Sequence, residues 1–250
     1  MDIIKDLLIV NRQTLKKSVK SLIGNWPIIF TGIVYTTINI AMISFVVTVF
    51  RGILSIFAGI FIAIVSASLI SNYFYLLFNI INYNKITFQD FKDGFKYYLR
   101  KIYMIFFFAW IGSFILDAIR GLMGFDPYLL NIIITLSILV LLNALPETLY
   151  LKVLEPIDSI MYSIDFIKEN WFNWLLPNAI LYAVLYLVTG RIVTNIFATH
   201  VNLGFGLDGM AWIRYLIGQG LFSFIMIYRG HLYKLLSTST RRKRMFMNKF

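Results

Sequence analysis

ILSIFAGIFIAIVSASLISNYFYLLFNII (53–81) runs without one charged residue. A helix crosses the roughly 30 Å hydrocarbon core of a bilayer with about 20 apolar residues, so this stretch is long enough to span it. Outward from it lie five more runs of the same kind, at 27–50, 102–123, 128–149, 172–196 and 209–230. Their apolar residues are continuous and do not alternate, which excludes the every-second-residue pattern of a transmembrane barrel. The reading is an all-α polytopic membrane protein, a single integral membrane domain over 1–250 with six transmembrane helices. Composition agrees: 59% of residues are hydrophobic and 14% charged, against about 45–50% apolar in soluble domains.

The net charge of +11 raises the question of nucleic acid, but its placement points to topology. All of the 23 Lys and Arg except Arg51, Arg120, Arg191 and Arg214 fall in the N-terminal segment, between spans two and three, between spans four and five, or from the last turn of span six (Arg229) onward. The positive-inside rule makes that side cytoplasmic. The chain is thus expected to be a multi-pass protein of the cell membrane with both termini in the cytoplasm, and no nucleic-acid partner is expected. Residues 1–26 carry charges throughout and lack a signal-peptide core, so no removable signal is expected there. The absence of cysteine excludes disulfides, thiolate metal sites and cysteine nucleophiles.

Each outward-going span follows an amphipathic stretch. In ITFQDFKDGFKYYLRK (86–101), Phe88, Phe91, Phe95 and Leu99 recur at helical steps while Gln89, Asp90, Lys92, Asp93, Lys96 and Arg100 fill the other face. In EPIDSIMYSIDFIKENW (155–171), Pro156 suits a helix start and Ile157, Ile160, Ile164 and Ile167 share a side. Ile4, Leu8, Leu15, Val19 and Leu22 give a looser version at the N-terminus. All three are expected to lie along the cytoplasmic interface. SVKSLIGNW (18–26) resembles SIDFIKENW (163–171), which suggests an internal repeat of helix-hairpin units (1–81, 86–149 and 155–235) before a basic tail, 236–250. Trp26, Trp171 and Trp174 fall at predicted inner boundaries and Trp212 near the outer one, where amphipathic rings sit at headgroup level; Trp110 lies deep.

The basic start ending in Asn25-Trp26, the QDFKDGFKYYLRK segment (89–101), and the close on YRGHLYKLL (228–236) followed by RRKR (241–244) resemble a loose family of six-helix bacterial membrane proteins. That family is related to the membrane domain of glycerophosphoryl diester phosphodiesterases. The resemblance covers most of the chain at the level of layout. It implies a fold and no activity, because the phosphodiesterase chemistry would belong to a separate soluble domain.

Four features are candidate sites. Ser55, Gly59, Ala63, Ala67 and Ser71 stand four apart and form a helix-packing ladder, either inside the chain or between copies in a homo-oligomer. Arg120, Arg191, Arg214 and Asp117 place charge near the outer ends of spans, where it anchors to headgroups or gathers to bind an anionic ligand. Asp117, Asp126 and Asp208 do not balance these three arginines and Arg51, which leaves a cation for an external anion. Glu147, after Pro146 and one turn from Asn143, marks either a cation or proton site or a helix end, and Pro177-Asn178 a second break. His200 and His231 stand alone and support no metal. GFGLDG (204–209) lacks the strand and lysine of a phosphate loop and reads as a turn. The basic tail either anchors topology or recruits anionic lipid.

No metal cluster, activated nucleophile or deep carboxylate pair is apparent, so the chain is expected to be no enzyme and to need no cofactor. Two classes remain. One is a transport, permeation or lipid-handling component. The other is a membrane scaffold or accessory subunit that docks a cytoplasmic protein partner. They separate by whether the intramembrane polar residues (Thr36, Thr37, Asn39, Asn131, Asn143, Asn178) converge on a cavity or are satisfied helix to helix. In both classes the bilayer, with its anionic lipids, is the first partner.

Overall fold

The computed structural model describes residues 2–123, 127–202, 209–240 and 243–244, and of these not the side chains of 2, 3, 53, 56, 120–123 and 127. Helix α1 (Asp2–Gly24) passes through a 3-10 turn (Trp26–Phe30) into α2 (Thr31–Val49), and a short turn (Gly52–Leu54) reverses the chain into α3 (Ser55–Tyr83). There follow α4 (Phe88–Tyr97), α5 (Leu99–Met123), α6 (Pro127–Leu141), α7 (Leu145–Leu151), α8 (Pro156–Thr189) and α9 (Gly209–Thr238). Among the described residues there is no strand, and 6 helical segments are long and apolar enough to cross a membrane: Trp26–Val49, Phe57–Tyr83, Phe88–Ile119, Tyr128–Leu151, Pro156–Thr189 and Gly209–Thr238. The protein is all-α with six candidate spans, as its sequence predicts.

Local chemistry sets the breaks. Asn84 ends α3 in the left-handed region at φ 54°, which Asn tolerates better than most residues. Thr87 then starts α4 by a capping box: its hydroxyl accepts from the Asp90 amide while Asp90 accepts from the Thr87 amide. Pro146 in the first turn of α7 has no amide to continue the ladder from α6, and residues 142–144 form a turn. Two expectations need correction. The amphipathic stretch 155–171 and the fifth span are one continuous helix, and Pro177 does not break it. That helix stops at Thr189, before the predicted edge at 196, because Gly190 takes φ 68° and the Thr189 hydroxyl accepts from the Arg191 amide at 3.2 Å.

One half of the bundle is closely packed. The C-terminal end of α3, the N-terminal part of α4, the end of α1 and the last turns of α9 meet there, and with them the basic segments of the sequence. Ser21 donates to Asn84 Oδ1 at 2.7 Å and lies 3.0 Å from His231 Nε2. Asn25 accepts from the Ile86 amide, and Lys234 donates to Asn82. α4 folds back against α3 where Gly94 lets the backbones approach: a Cβ there would stand 3.1 Å from Asn72 Cα. Asn72 donates to the Phe91 carbonyl and Ser71 to that of Gly94, which satisfies the last turns of α4.

Toward the opposite end the helices separate. α5 and α6 do not pack along one another among the described residues, and Trp110, Phe114, Ile115, Leu129, Ile133 and Leu136 are exposed. Trp110, read as lying deep in its span, faces outward from the bundle.

Helix α1 has three distinct faces. Asp6, Val10, Thr14, Ser18, Ser21 and Asn25 are buried, chiefly against α9, while Ile4, Leu8, Leu15 and Val19 point outward beside Lys5, Arg12, Lys16 and Lys20. The predicted apolar stripe is real, but it faces away from the protein, and the polar face makes the contact. Aligned residues of α1 and α8 behave alike. Ser18 and Ser163 are buried, Asn25 and Asn170 each donate to the carbonyl four residues before, and Trp26 and Trp171 are exposed.

Candidate functional site

Within the packed half, α7, α8 and α9 enclose a buried ion pair. Arg229 is 2% exposed and Glu147 0%. The guanidinium grips both carboxylate oxygens, Nε to Oε1 at 2.7 Å and Nη2 to Oε2 at 3.0 Å. It also donates to the Asn143 carbonyl at 2.6 Å and to Asn143 Oδ1 at 3.1 Å. Trp174 donates its indole N–H to the same Oδ1 at 2.9 Å and places its ring 5.1 Å beneath the guanidinium, with Tyr182 at 5.8 Å on another side. Four contacts are possible because the break at 142–144 turns the Asn143 carbonyl out of the helical ladder. The bidentate fork is the geometry in which a buried charge pair best offsets its desolvation. Around it, Thr148 and Tyr233 share a hydrogen bond at 2.8 Å, and Tyr98 donates to the Tyr150 carbonyl at 3.0 Å.

This arrangement revises two sequence readings. Arg229 counted among the cytoplasmic cations, yet its side chain turns into the bundle. Trp174 was placed at a headgroup boundary and is instead fully buried. Glu147, read as a cation or proton site or a helix end, sits in the first turn of α7 with both oxygens taken by Arg229. The missed residue, Arg229, did leave a signal: it falls inside the predicted span 209–230, where a charge needs a partner.

The opposite end is built by residues 190–202, which follow α8 and fold in among the helices. Phe197 packs on Phe74 and Phe106, and the Val201 amide donates to Gln219 at 2.9 Å. On one side lies a cavity of about 300 Å³, bounded by Asn39, Ser66, Arg191, Asn195 and His200. On the other lies a cavity of about 160 Å³, lined by Thr189, Arg191, Asn202, Arg214 and Tyr215. Arg191 lines both, so the structure brings two of the three predicted arginines to one cavity. The side chain of Arg120 lies outside the described residues, as do Asp126 and Asp208 and most of the GFGLDG turn. Asp117 is exposed on α5 and is not free of partners. The His200 ring hydrogen-bonds Thr199 through Nδ1 at 2.9 Å, and its burial lowers its pKa from the ordinary histidine value, favouring the neutral ring.

The small-residue ladder divides at its middle. Ala67 and Ser71 are buried, and Ser71 both donates to Gly94 and accepts from the Tyr98 amide. Ser55 and Gly59 are exposed, and a Cβ at Gly59 would meet nothing. His231 lies within hydrogen-bond distance of Ser21, and among the described residues no group of three metal-ligating side chains occurs. No family model matches the chain, and neither a curated protein nor a solved structure is significantly similar to it.

Proposed function

We propose that the chain is a non-catalytic, multi-pass protein of the cell membrane, with both termini cytoplasmic, that handles anionic lipid. The observation that carries this is the meeting of Arg191 and Arg214 on one cavity at the end away from the basic segments. Guanidinium groups bind phosphate oxygens in pairs. The separated outer parts of α5 and α6 give lipid a lateral approach to that half of the bundle. Transmembrane permeation is less well supported, since the Arg229–Glu147 pair, with Asn143 and Trp174 bonded to it, fills the middle of the packed half.

The basic end is assigned to the cytoplasm by its Lys and Arg content. The three faces of α1, with an apolar stripe between a buried side and a row of lysines, suit a helix lying in the headgroup region. The matched roles of Ser18 and Ser163, Asn25 and Asn170, and Trp26 and Trp171 support the proposed repeat. The layout shared with phosphodiesterase membrane domains belongs to the same proposal. The helix-to-helix pairing of Glu147 and Arg229 favours a second reading, that of a scaffold. In it, the open half of the α3 ladder would receive another copy.

The test is native mass spectrometry of gently extracted protein. Arg191→Ala and Arg214→Ala are expected to lower retention of anionic lipid while the thermal unfolding curve stays in place. Unchanged retention in both variants would leave headgroup anchoring as the role of these arginines, and co-purified copies or a protein partner would favour the scaffold.

A further inference from the structure

A separate cavity lies at the basic end, where α1 crosses the last turns of α9. Thr14 and Lys17 face His231, Lys234, Leu235 and Thr238 across a space of about 280 Å³. This is just below the roughly 300–1,000 Å³ of clefts for drug-sized ligands, and suits a small polar group. No carboxylate lines it, and neither lysine forms an ion pair among the described residues. The charges of Lys17 and Lys234 act on one another and on His231, so the positive potential of the site is unbalanced. The neighbouring cavity of about 640 Å³ differs: Asp165 and Glu169 line it beside Arg244.

Two buried polar groups in the walls lack partners. Thr14 is 3% exposed and its hydroxyl is unpaired; His231 is 4% exposed and its Nδ1 is unpaired. Buried polar atoms are almost always hydrogen-bonded; nine other side-chain atoms among the described residues also lack a partner, and these two are set apart because both residues line one small cavity with two lysines. The chemistry of the histidine can be worked out. Ser21 gives its only proton to Asn84 Oδ1, so at the 3.0 Å contact with His231 the Ser21 oxygen must accept, and His231 Nε2 carries the hydrogen. Nδ1 of the neutral ring is then a bare acceptor. The cavity therefore offers two ammonium donors, and buried in its wall behind them stand a hydroxyl and an acceptor that an anion alone does not satisfy.

We propose that this cavity binds a phosphate group carrying a hydroxylated substituent: Lys17, Lys234 and Thr14 hold phosphate oxygens, and His231 Nδ1 accepts from the hydroxyl. A lipid headgroup and a soluble phosphate ester share that chemistry. The site is independent of the cavity at Arg191 and Arg214, at the other end of the bundle.

The full chain, delipidated in neutral detergent, is examined by native mass spectrometry in two arms, one with phosphatidylglycerol and one with glycerol 3-phosphate. Binding in the first arm alone identifies a lipid site, binding in the second a soluble ligand, and binding in neither overturns the proposal. For whichever binds, Lys17→Gln with Lys234→Gln is expected to lower the bound fraction about tenfold, as loss of two charge-assisted contacts of modest strength would. Lys16→Gln with Lys20→Gln removes the same charge from the outward face of α1 and is expected to change it less than twofold. Equal loss in the two double variants would show diffuse surface charge and overturn the site. If the lipid binds, phosphatidylglycerol should be retained about fivefold better than phosphatidylmethanol, which has the same charge and no hydroxyl; equal retention would remove His231 from the proposal. The outer cavity is itself proposed to hold anionic lipid, so the phosphatidylglycerol arm is read in an Arg191→Ala, Arg214→Ala background; retention that depends on Lys17 and Lys234 should persist there and its loss would overturn the site, so failure of the outer site and failure of this one read out separately.

Discussion

Replacing Glu147 and Arg229 by methionine, singly and together, tests the central feature of the packed half. Methionine keeps most of each side chain's length and has no charge. Glu147→Met leaves a guanidinium that is 2% exposed with only the neutral oxygens of Asn143 as acceptors, and arginine has no accessible neutral form. Arg229→Met leaves a carboxylate that is 0% exposed without its two donors. Breaking a buried pair from one side costs about 3–5 kcal/mol, whereas exchanging both members for apolar residues is often close to neutral. The double variant should not be wholly neutral, because the Asn143 carbonyl loses its donor; Asn143 Oδ1 keeps the Trp174 indole. Each single variant is therefore expected to be destabilised by about 3–5 kcal/mol, and the double by less than the sum by at least about 2 kcal/mol. The assay is reversible unfolding of purified protein in mixed micelles with increasing SDS, followed by tryptophan fluorescence. Additive effects within about 0.5 kcal/mol would show that the two charges do not meet and would refute the site as described.

The remaining expectations are simpler. Ala67→Leu should destabilise by about 1–3 kcal/mol because the position is fully buried on α3, while Gly59→Ala on the same ladder should not, since nothing lies near its Cβ; thermal melts compare them. Gly32→Ala should destabilise by forcing the Gln219 side chain, 2.6 Å from the new Cβ, off its bond to the Val201 amide, and faster proteolysis within 190–202 would report it. Burial lowers the His200 pKa below the ordinary value of about 6.5, so the unfolded chain takes up a proton on acidification that the folded chain resists. The stability this contributes is complete above about pH 6.5 and declines as pH falls from there toward the lowered folded value; melts from pH 7.5 to 5 should show a shallower decline in His200→Gln. In intact cells, single cysteines at Gln89 and Lys20 should resist an impermeant maleimide and one at Thr194 should react; the reverse pattern would invert the topology.

The sequence made the spans legible because crossing a bilayer requires length and apolarity, which a linear reading measures directly. The amphipathic stretch 86–101 was legible by its helical period, and the Thr87 capping box starts α4 within it. Rotation about a helix axis was harder to read. The apolar stripe of α1 was visible, but periodicity alone does not say which face the protein buries, and here Asp6, Thr14, Ser18, Ser21 and Asn25 pack inward. The end of α8 was placed too late because Val193, Ile196 and Phe197 extend the apolar run, although Gly190 has already left the helix. Those residues are apolar because they pack inside the bundle as a loop. The pairing of Glu147 with Arg229 spans 82 residues of sequence, and nothing at either position names the other.

That pairing also bears on the topology argument. Arg229 was counted toward the positive side, but its charge is neutralised within the bundle, and a charge so placed does not anchor a helix to one membrane face. Arg244 is likewise neutralised by Asp6, at 2.8 Å, with Asn173 donating to the same carboxylate. The cytoplasmic assignment then rests on the cations that have no carboxylate partner among the described residues, Lys16, Lys17 and Lys20 on α1 and Lys234 on α9 among them. These are clustered by fold as well as by sequence, for His231 and Lys234 are tied to the α1–α3 junction through Ser21 and Asn82. Loss of Arg229 and Arg244 from the count thus narrows the bias without reversing it. It follows that Arg229→Met should leave the maleimide pattern at Gln89, Lys20 and Thr194 unchanged while lowering stability. A variant that kept its stability and inverted its labelling would show that Arg229 acts as a topology signal and not as half of a buried pair.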